Sequence, residues 1–271
     1  MGNKMMIDIF RKVLPIRIRQ DLGLWLLRQT ARSKVLLRPY FLFLCGTIPK
    51  NLELLPNGEC YVKYHNKTIV SPRDGILAFV EVFQDKVYEK VWSPQKGDTV
   101  IDIGAYVGMF TVLASELVGK TGHVIAIEPS PSNFGYLSGN THKLSNVDLI
   151  RAVVSSVGGT GKLYLSQASP CHTTAHPHKN AIKVRKVTLD SLNVKADFIK
   201  IDAEGSEIEI LRGAEKTLLA GTRLSIASYH DLPEGGKELP VIVDFLEARD
   251  YKVIVKRKYV YAEPVKISKE I

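Results

Sequence analysis

The chain has 271 residues, 45% of them hydrophobic and 24% charged, which is enough to bury a full core in one globular domain plus an extension. Its three cysteines, Cys45, Cys60 and Cys171, are too few and too scattered for a disulfide framework, and no C-x-x-C pair offers a zinc module; they suit a reducing compartment. The net charge of +9 suggests a nucleic-acid binder until it is divided: residues 1–50 hold ten Lys or Arg against Asp8 and Asp21, a net +8, leaving only +1 on everything after them.

The first ten residues, MGNKMMIDIF, carry no charged-then-apolar secretion signal, and Met6 stands where a myristoylation motif needs Ser or Thr, so a cytoplasmic protein is expected. After Pro15, QDLGLWLLRQTARSKVLLR has helical spacing, with Leu24, Leu27, Ala31 and Val35 on one face and Arg28 and Arg32 on another. PYFLFLCGTI follows, too short an apolar run to cross a bilayer, which takes about 20 residues. Residues 1–50 therefore read as a basic helical extension that packs on the body or, in the alternative, makes peripheral contact with a membrane surface or another anionic partner.

Residues 51–96 read as a lead-in of strands and one helix. CYVKYH and KTIVS are strand-like, LAFVEVFQDKVYEKVW has helical periodicity, and PQKGD makes a turn. Over residues 97–271 the strands TVIDIG, HVIAIE, NVDLIRAVV, ADFIKID and RLSIASY alternate with the helical segments MFTVLASELVG, PSNFGYLSGN, SEIEILRGAEKTLLA and PVIVDFLEARD. Such alternation implies an α/β, mostly parallel, doubly wound sheet with ligands at the carboxyl ends of its strands.

The first strand of this region runs into IDIGAYVGMF, a D-x-G-x-x-x-G pattern of Asp102, Gly104 and Gly108. A dinucleotide fingerprint has a glycine where this chain has Tyr106, and a side chain there obstructs a pyrophosphate, so the turn favours a nucleoside without phosphates. Gly104 supplies the tight turn, Gly108 lets the next helix start pack closely, and Asp102 is a candidate partner for turn amides or a ligand ammonium group. Glu128, ending the next strand, is placed to accept two ribose hydroxyls; its alternative role is to cap the helix behind Pro129.

These residues resemble the FkbM family of S-adenosylmethionine-dependent methyltransferases. The resemblance spans roughly residues 70–255 and rests on VIDIGAYVGMFT, IAIEPSP, SIASYHDLP and, most specifically, IKIDAEGSEIEILRGA. It implies a seven-stranded class I methyltransferase sheet, Rossmann-like and three-layered, behind the N-terminal extension. It also implies S-adenosylmethionine as cofactor, a methyltransferase domain over 97–271, and methyl transfer to a hydroxyl, often on a sugar or a lipid-linked glycan. The cofactor-binding positions it implies are Asp102, Gly104, Ala105, Tyr106, Gly108, Glu128, Pro129, Ala152 and Asp202.

In the strand order implied by the family, the strand ending at Asp202 lies beside the one ending at His230, so carboxylates and imidazole converge. An alcohol is a poor nucleophile while protonated, and a base is needed there. His230, with an ordinary pKa near 6.5, is the expected base, with Asp202 or Glu204 orienting it; a carboxylate base, or carboxylates holding a divalent cation, are the alternatives. Ser206 and Glu209 form an S-x-x-E capping box for the following helix, which leaves Asp202 and Glu204 available for chemistry. CHTTAHPHK, with His172, His176 and His178, fits no zinc spacing and reads as a loop covering the substrate, so no metal site is expected. Competing readings are an RNA methyltransferase tethered by the basic arm, disfavoured by the lack of an RNA-binding module; a non-catalytic nucleoside- or anion-binding module; and an NAD-dependent oxidoreductase, disfavoured by Tyr106.

Overall fold

The computed structural model describes residues 52–165, 172–174, 180–230, 232 and 235–265. The expected basic helix within residues 1–50, and His176 and His178, lie outside the described residues. The chain divides into two compact units at Val80/Glu81. In the first, β1 (Leu52–Leu54), β2 (Glu59–Tyr64) and β3 (Lys67–Pro72) form an antiparallel meander. Arg73 Nη2 closes it by donating to the Leu55 carbonyl at 2.8 Å.

The helix expected over LAFVEVFQDKVYEKVW is broken. Ile76–Phe79 is a single α-turn, Val80–Gln84 widens into a π-turn, and Val87–Glu89 is a separate 3-10 turn. Between the last two, Lys86 takes a left-handed φ of 49°, a conformation no α-helix continues through. Residues 81–96 belong with the sheet unit rather than with a lead-in, since the Tyr259 hydroxyl reaches Glu81 and the Tyr261 hydroxyl donates to the Val87 carbonyl.

The second unit is built on β4 (Thr99–Ile103), β5 (His123–Ile127), β6 (Val147–Ile150), β10 (Phe198–Ile201), β11 (Arg223–Ala227), β12 (Tyr251–Lys256) and β13 (Tyr259–Pro264). They form one sheet in the order β12-β13-β11-β10-β4-β5-β6. β11, β10, β4, β5 and β6 are parallel, and β13 enters antiparallel between β11 and β12. Every residue of β10 is buried, the signature of a central strand covered on both faces. Its flanking helices are α1 (Met109–Val118), α2 (Pro131–Thr141), α3 (Glu207–Arg212), α4 (Glu215–Leu219) and α5 (Glu238–Glu247). This is the expected α/β, Rossmann-like, class I methyltransferase sheet.

The segment SEIEILRGAEKTLLA forms two helices instead of one. Gly213 breaks it because a Cβ there would come within 2.3 Å of the Ser155 carbonyl oxygen, so the chain must pass close to that loop. A second sheet was not foreseen: β7 (Val153–Val154), β8 (Gly159–Tyr164) and β9 (Ala181–Val187), in the order β7-β9-β8.

Candidate active site

The strand order places the carboxyl ends of β10 and β4 side by side, where their main chains come into direct contact. A Cβ on Gly104 would sit 1.8 Å from the Asp202 carbonyl oxygen, and Gly104 has φ +69°. Any side chain at this position collides with a neighbouring main chain and is strained besides. Gly108, at φ +90°, would meet Leu137 Cδ1 at 2.7 Å, so α1 and α2 pack as closely as its sequence position suggests. Between them Tyr106 takes φ 54°, sparsely populated for a residue with a Cβ. Its amide donates to Glu128 Oε2 at 2.9 Å.

Glu128 thus ties the glycine turn to the end of β5. Its other oxygen accepts the Ser130 amide at 2.9 Å and lies 3.5 Å from Asn133 Nδ2. Burial pushes its pKa up to about 7, against the pull of the Ser130 and Tyr106 amides. Pro129 is half-buried beside it. Asp102, by contrast, is fully enclosed. Oδ2 accepts from Thr111 Oγ1 at 2.6 Å and Oδ1 lies 3.1 Å from Lys200 Nζ. The expectation that Asp102 meets turn amides or a ligand ammonium is corrected: β4 and β10 pair Asp102 directly with Lys200, and the carboxylate is committed to that ion pair. Ala105 and Ala152 also turn their side chains into packing, Ala105 against Ala126 and Leu137, and Ala152 in the main core with Ile103 and Ile127.

Lys200 of β10 is 4% exposed. Its ammonium donates to the Gly104 and Ile103 carbonyls at 2.7 and 3.2 Å and sits 5.2 Å from the centre of the Tyr88 ring. Burial alone would lower its pKa, yet Asp102 and Asp202 hold it above the ordinary lysine value. Lys200 is therefore a fixed positive charge under the glycine turn.

Asp202 and Glu204 follow β10. The Tyr88 hydroxyl donates to Asp202 Oδ2 at 2.6 Å, and Tyr88 is itself held edge-on by Phe110 and Tyr259. Asp202 Oδ1 is buried and accepts no hydrogen bond. Glu204, at φ 53°, brings Oε2 to 3.3 Å from His230 Nε2, while Glu207 Oε1 lies 3.1 Å from His230 Nδ1. Both are charge contacts at ion-pair range without hydrogen-bond alignment. One ligating atom each from Asp202, Glu204 and His230 lie within 4.8 Å of one another, so these three residues do converge.

The charge state of His230 differs from the sequence expectation. Burial would lower its pKa, but Glu207 and Glu204 on either side push it up to about 11. An imidazolium has no lone pair to accept a proton, so the two flanking carboxylates disfavour His230 as the base. The capping box is corrected as well. Ser206 bonds Thr174 and Glu209 takes Ser156, whereas Glu207 accepts the Ala203 and Gly205 amides at 2.8 and 2.9 Å and fixes the turn.

Four residues of the site were not singled out in the sequence: Glu207, Tyr88, Glu81 and Glu238. Glu81 is pushed up to about 8 by burial and by Asp202, and Glu238 up to about 9 by burial and by the charge of Glu207. Only the acid two residues beyond Gly205 in AEGSE gave a signal, and it was read as helix. Two groups have donor spacing a cation could use, Asp202–Glu204–His230 and Glu207–His230–Glu238; in each, ligation would first require the His230 proton to leave.

The Methyltransferase FkbM domain model matches residues 102–253, the segment that carries the glycine turn, Glu128, the Asp202–Glu204 turn and His230. The chain belongs to the FkbM methyltransferase family. It is 30% identical over 160 residues, 56% of each chain, to a protein-L-isoaspartate O-methyltransferase of Aeropyrum pernix. It is 34% identical over 82 residues, 28% of this chain and 38% of the other, to a ribosomal RNA large subunit methyltransferase E of Methanobrevibacter smithii. The chain thus spans about half the length, or less, of these curated relatives. A crystal structure of an FkbM methyltransferase from Methylobacillus flagellatus matches with a TM-score of 0.49 at 18% identity, over 64% of this chain and 45% of that one.

The cofactor that goes with this family and fold is S-adenosylmethionine. The residues present fit it: the turn after β4 is a cradle in which a Cβ at Gly104 or Gly108 is excluded, Tyr106 stands where a pyrophosphate would need glycine, and Glu128 closes the β5 side. Glu128 has acceptor capacity left for a hydroxyl, since a carboxylate offers about four lone-pair sites.

Proposed function

We propose that this FkbM protein transfers a methyl group to a hydroxyl oxygen of a sugar, glycan or lipid-linked saccharide, with Asp202 receiving the hydroxyl proton. S-adenosylmethionine, when bound, supplies an electrophilic methyl group on a sulfonium. The observation that carries the reading is the buried, unoccupied acceptor atom Asp202 Oδ1 beside the Gly104 turn. Tyr88 clamps the other oxygen of that carboxylate, and Lys200 holds the turn's carbonyls, so the acceptor atom is fixed relative to the nucleoside-binding loop. Glu204, His230 and Glu207 form a fixed acid–imidazolium–acid row that orients the same turn. A carboxylate acceptor needs no base and would be repelled by Asp202 and Glu207, which favours a neutral hydroxyl.

Residues 1–50, with their net +8, would give peripheral contact with the cytoplasmic membrane face. Among the described residues no helix is long and apolar enough to cross a membrane. The same basic arm supports a second reading, methylation of RNA, in which it tethers phosphates. Incubation with methyl-labelled S-adenosylmethionine and, separately, a saccharide-lipid extract, ribosomal RNA and isoaspartyl peptide distinguishes the acceptors. Label in the saccharide fraction, lost in Asp202→Asn, is expected; label confined to RNA or peptide overturns the reading.

A further inference from the structure

Beside the acid cluster lies a half-open cavity of about 560 Å³ lined by three cations and one carboxylate. Lys162 of β8, Lys186 of β9 and Arg212 at the end of α3 line it, against a single carboxylate, Glu209. That carboxylate is already engaged, one oxygen with Arg212 and the other with Ser156. Neither Lys162 nor Lys186 forms an ion pair among the described residues. Lys186 is set against β8 by Gly161, where a Cβ would come within 2.7 Å of Lys186 Cδ. A cavity of a few hundred cubic ångströms with a few converging polar groups is the usual form of a small-molecule site, and cations gathered around one space repel each other until an anion enters.

The cavity shares a wall with the proposed catalytic turn. Gly205 and Ser206, which follow Glu204 directly, line it, as does Leu232, close after His230. Thr173 Oγ1 donates to the Glu204 carbonyl at 2.6 Å, and Thr174 Oγ1 lies 2.7 Å from Ser206 Oγ, so the cavity lining and the turn are one hydrogen-bonded assembly. The strand-mouth side of this turn holds Asp202, Glu204 and Glu207 with Lys200 and His230 among them, whereas the cavity side presents Lys162, Lys186 and Arg212 against Glu209 alone.

We infer that the methyl acceptor is an anionic saccharide whose phosphate or carboxylate is held by Lys162, Lys186 and Arg212 while its neutral hydroxyl end meets Asp202. This rests on the methyl-transfer reading for the role of the bound molecule, though not for the existence of the anion site. The excess of cations around the cavity orients the substrate, since its anionic end is drawn to Lys162, Lys186 and Arg212 and its neutral end is left for Asp202.

The test is titration calorimetry of the full chain, with and without S-adenosylhomocysteine, using glucose 1-phosphate, glucuronate and glucose as probes at low salt. At least one charged probe is expected to bind about tenfold or more tightly than glucose, and Lys162→Gln/Lys186→Gln is expected to abolish that preference while leaving S-adenosylhomocysteine binding unchanged. The stronger of the two charged probes identifies the group as phosphate or carboxylate. Equal binding of all three probes, retention of the preference by the double variant, or displacement of the charged probe only by RNA overturns the inference. Loss of S-adenosylhomocysteine binding in the unaltered protein counts against the methyltransferase reading alone, because the charge preference is read without it as well.

Discussion

His230 Nε2 lies 3.3 Å from Glu204 Oε2, close enough that the two behave as one charged unit with Glu207 on the far side of the ring. The two carboxylates favour the protonated form of the ring. The nuclear magnetic resonance titration of the His230 ring is therefore expected to show no midpoint below about pH 9, and Glu204→Gln/Glu207→Gln to bring the midpoint down toward the ordinary value near 6.5. A midpoint near 6.5 in the unaltered protein would restore the imidazole as base.

Asp202 is the second prediction. Asp202→Asn keeps the volume and the Tyr88 contact but removes the acceptor for the hydroxyl proton. Methyl transfer at saturating substrate should fall by about 10²–10⁴-fold with unchanged affinity for S-adenosylhomocysteine. Tyr88→Phe only loosens the clamp, and a fall in kcat of about tenfold is expected. Equal activity of Asp202→Asn and the parent would assign the proton to another group.

The buried ion pair gives a stability prediction. In Lys200→Met the Asp102 carboxylate is left enclosed without its counter-charge, which costs about 3–5 kcal/mol. The double variant Asp102→Asn/Lys200→Met removes both charges and should recover much of that loss. Denaturant midpoints at constant slope measure it. A single variant within about 0.5 kcal/mol of the parent would mean the pair is not closed as described.

Much of this was readable in the sequence, and the exceptions share a cause. VIDI, VIAI and FIKI are short apolar runs between turn residues, and they became the parallel centre of the sheet because burial on both faces demands such runs. Gly104 and Gly108 had the roles their spacing suggested. What failed depended on contacts between residues far apart in the chain. The charge on His230 comes from Glu207 and Glu204, Lys200 is buried because Asp102 stands opposite it, and Ser206 gave up its cap for Thr174. LAFVEVFQDKVYEKVW has helical spacing, yet its tyrosine was drawn toward Asp202 and the chain turns left-handed at Lys86. β8, with two glycines and a lysine in GTGKLY, carried no alternating pattern to find.

The raised pKa values set a pH dependence of stability. His230 moves from 6.5 to about 11, Glu81 from 4.5 to about 8 and Glu238 from 4.5 to about 9. Each group holds its proton more tightly folded than unfolded, so the stability it contributes is present below the unfolded value and is lost as pH rises toward the folded one. Glu207, lowered by His230, has the opposite sense and loses its contribution only in acid. The melting temperature should accordingly fall by about 4 °C or more between about pH 6.5 and 9. A flat or rising profile over that interval contradicts the described charge states.

The most direct test of the whole account is calorimetric titration of the full chain with S-adenosylhomocysteine and with NAD. Stoichiometric binding of the former, weakened about tenfold or more by Glu128→Ala, with no heat from the latter, is the predicted result. Binding of NAD, or no binding of S-adenosylhomocysteine, would contradict it.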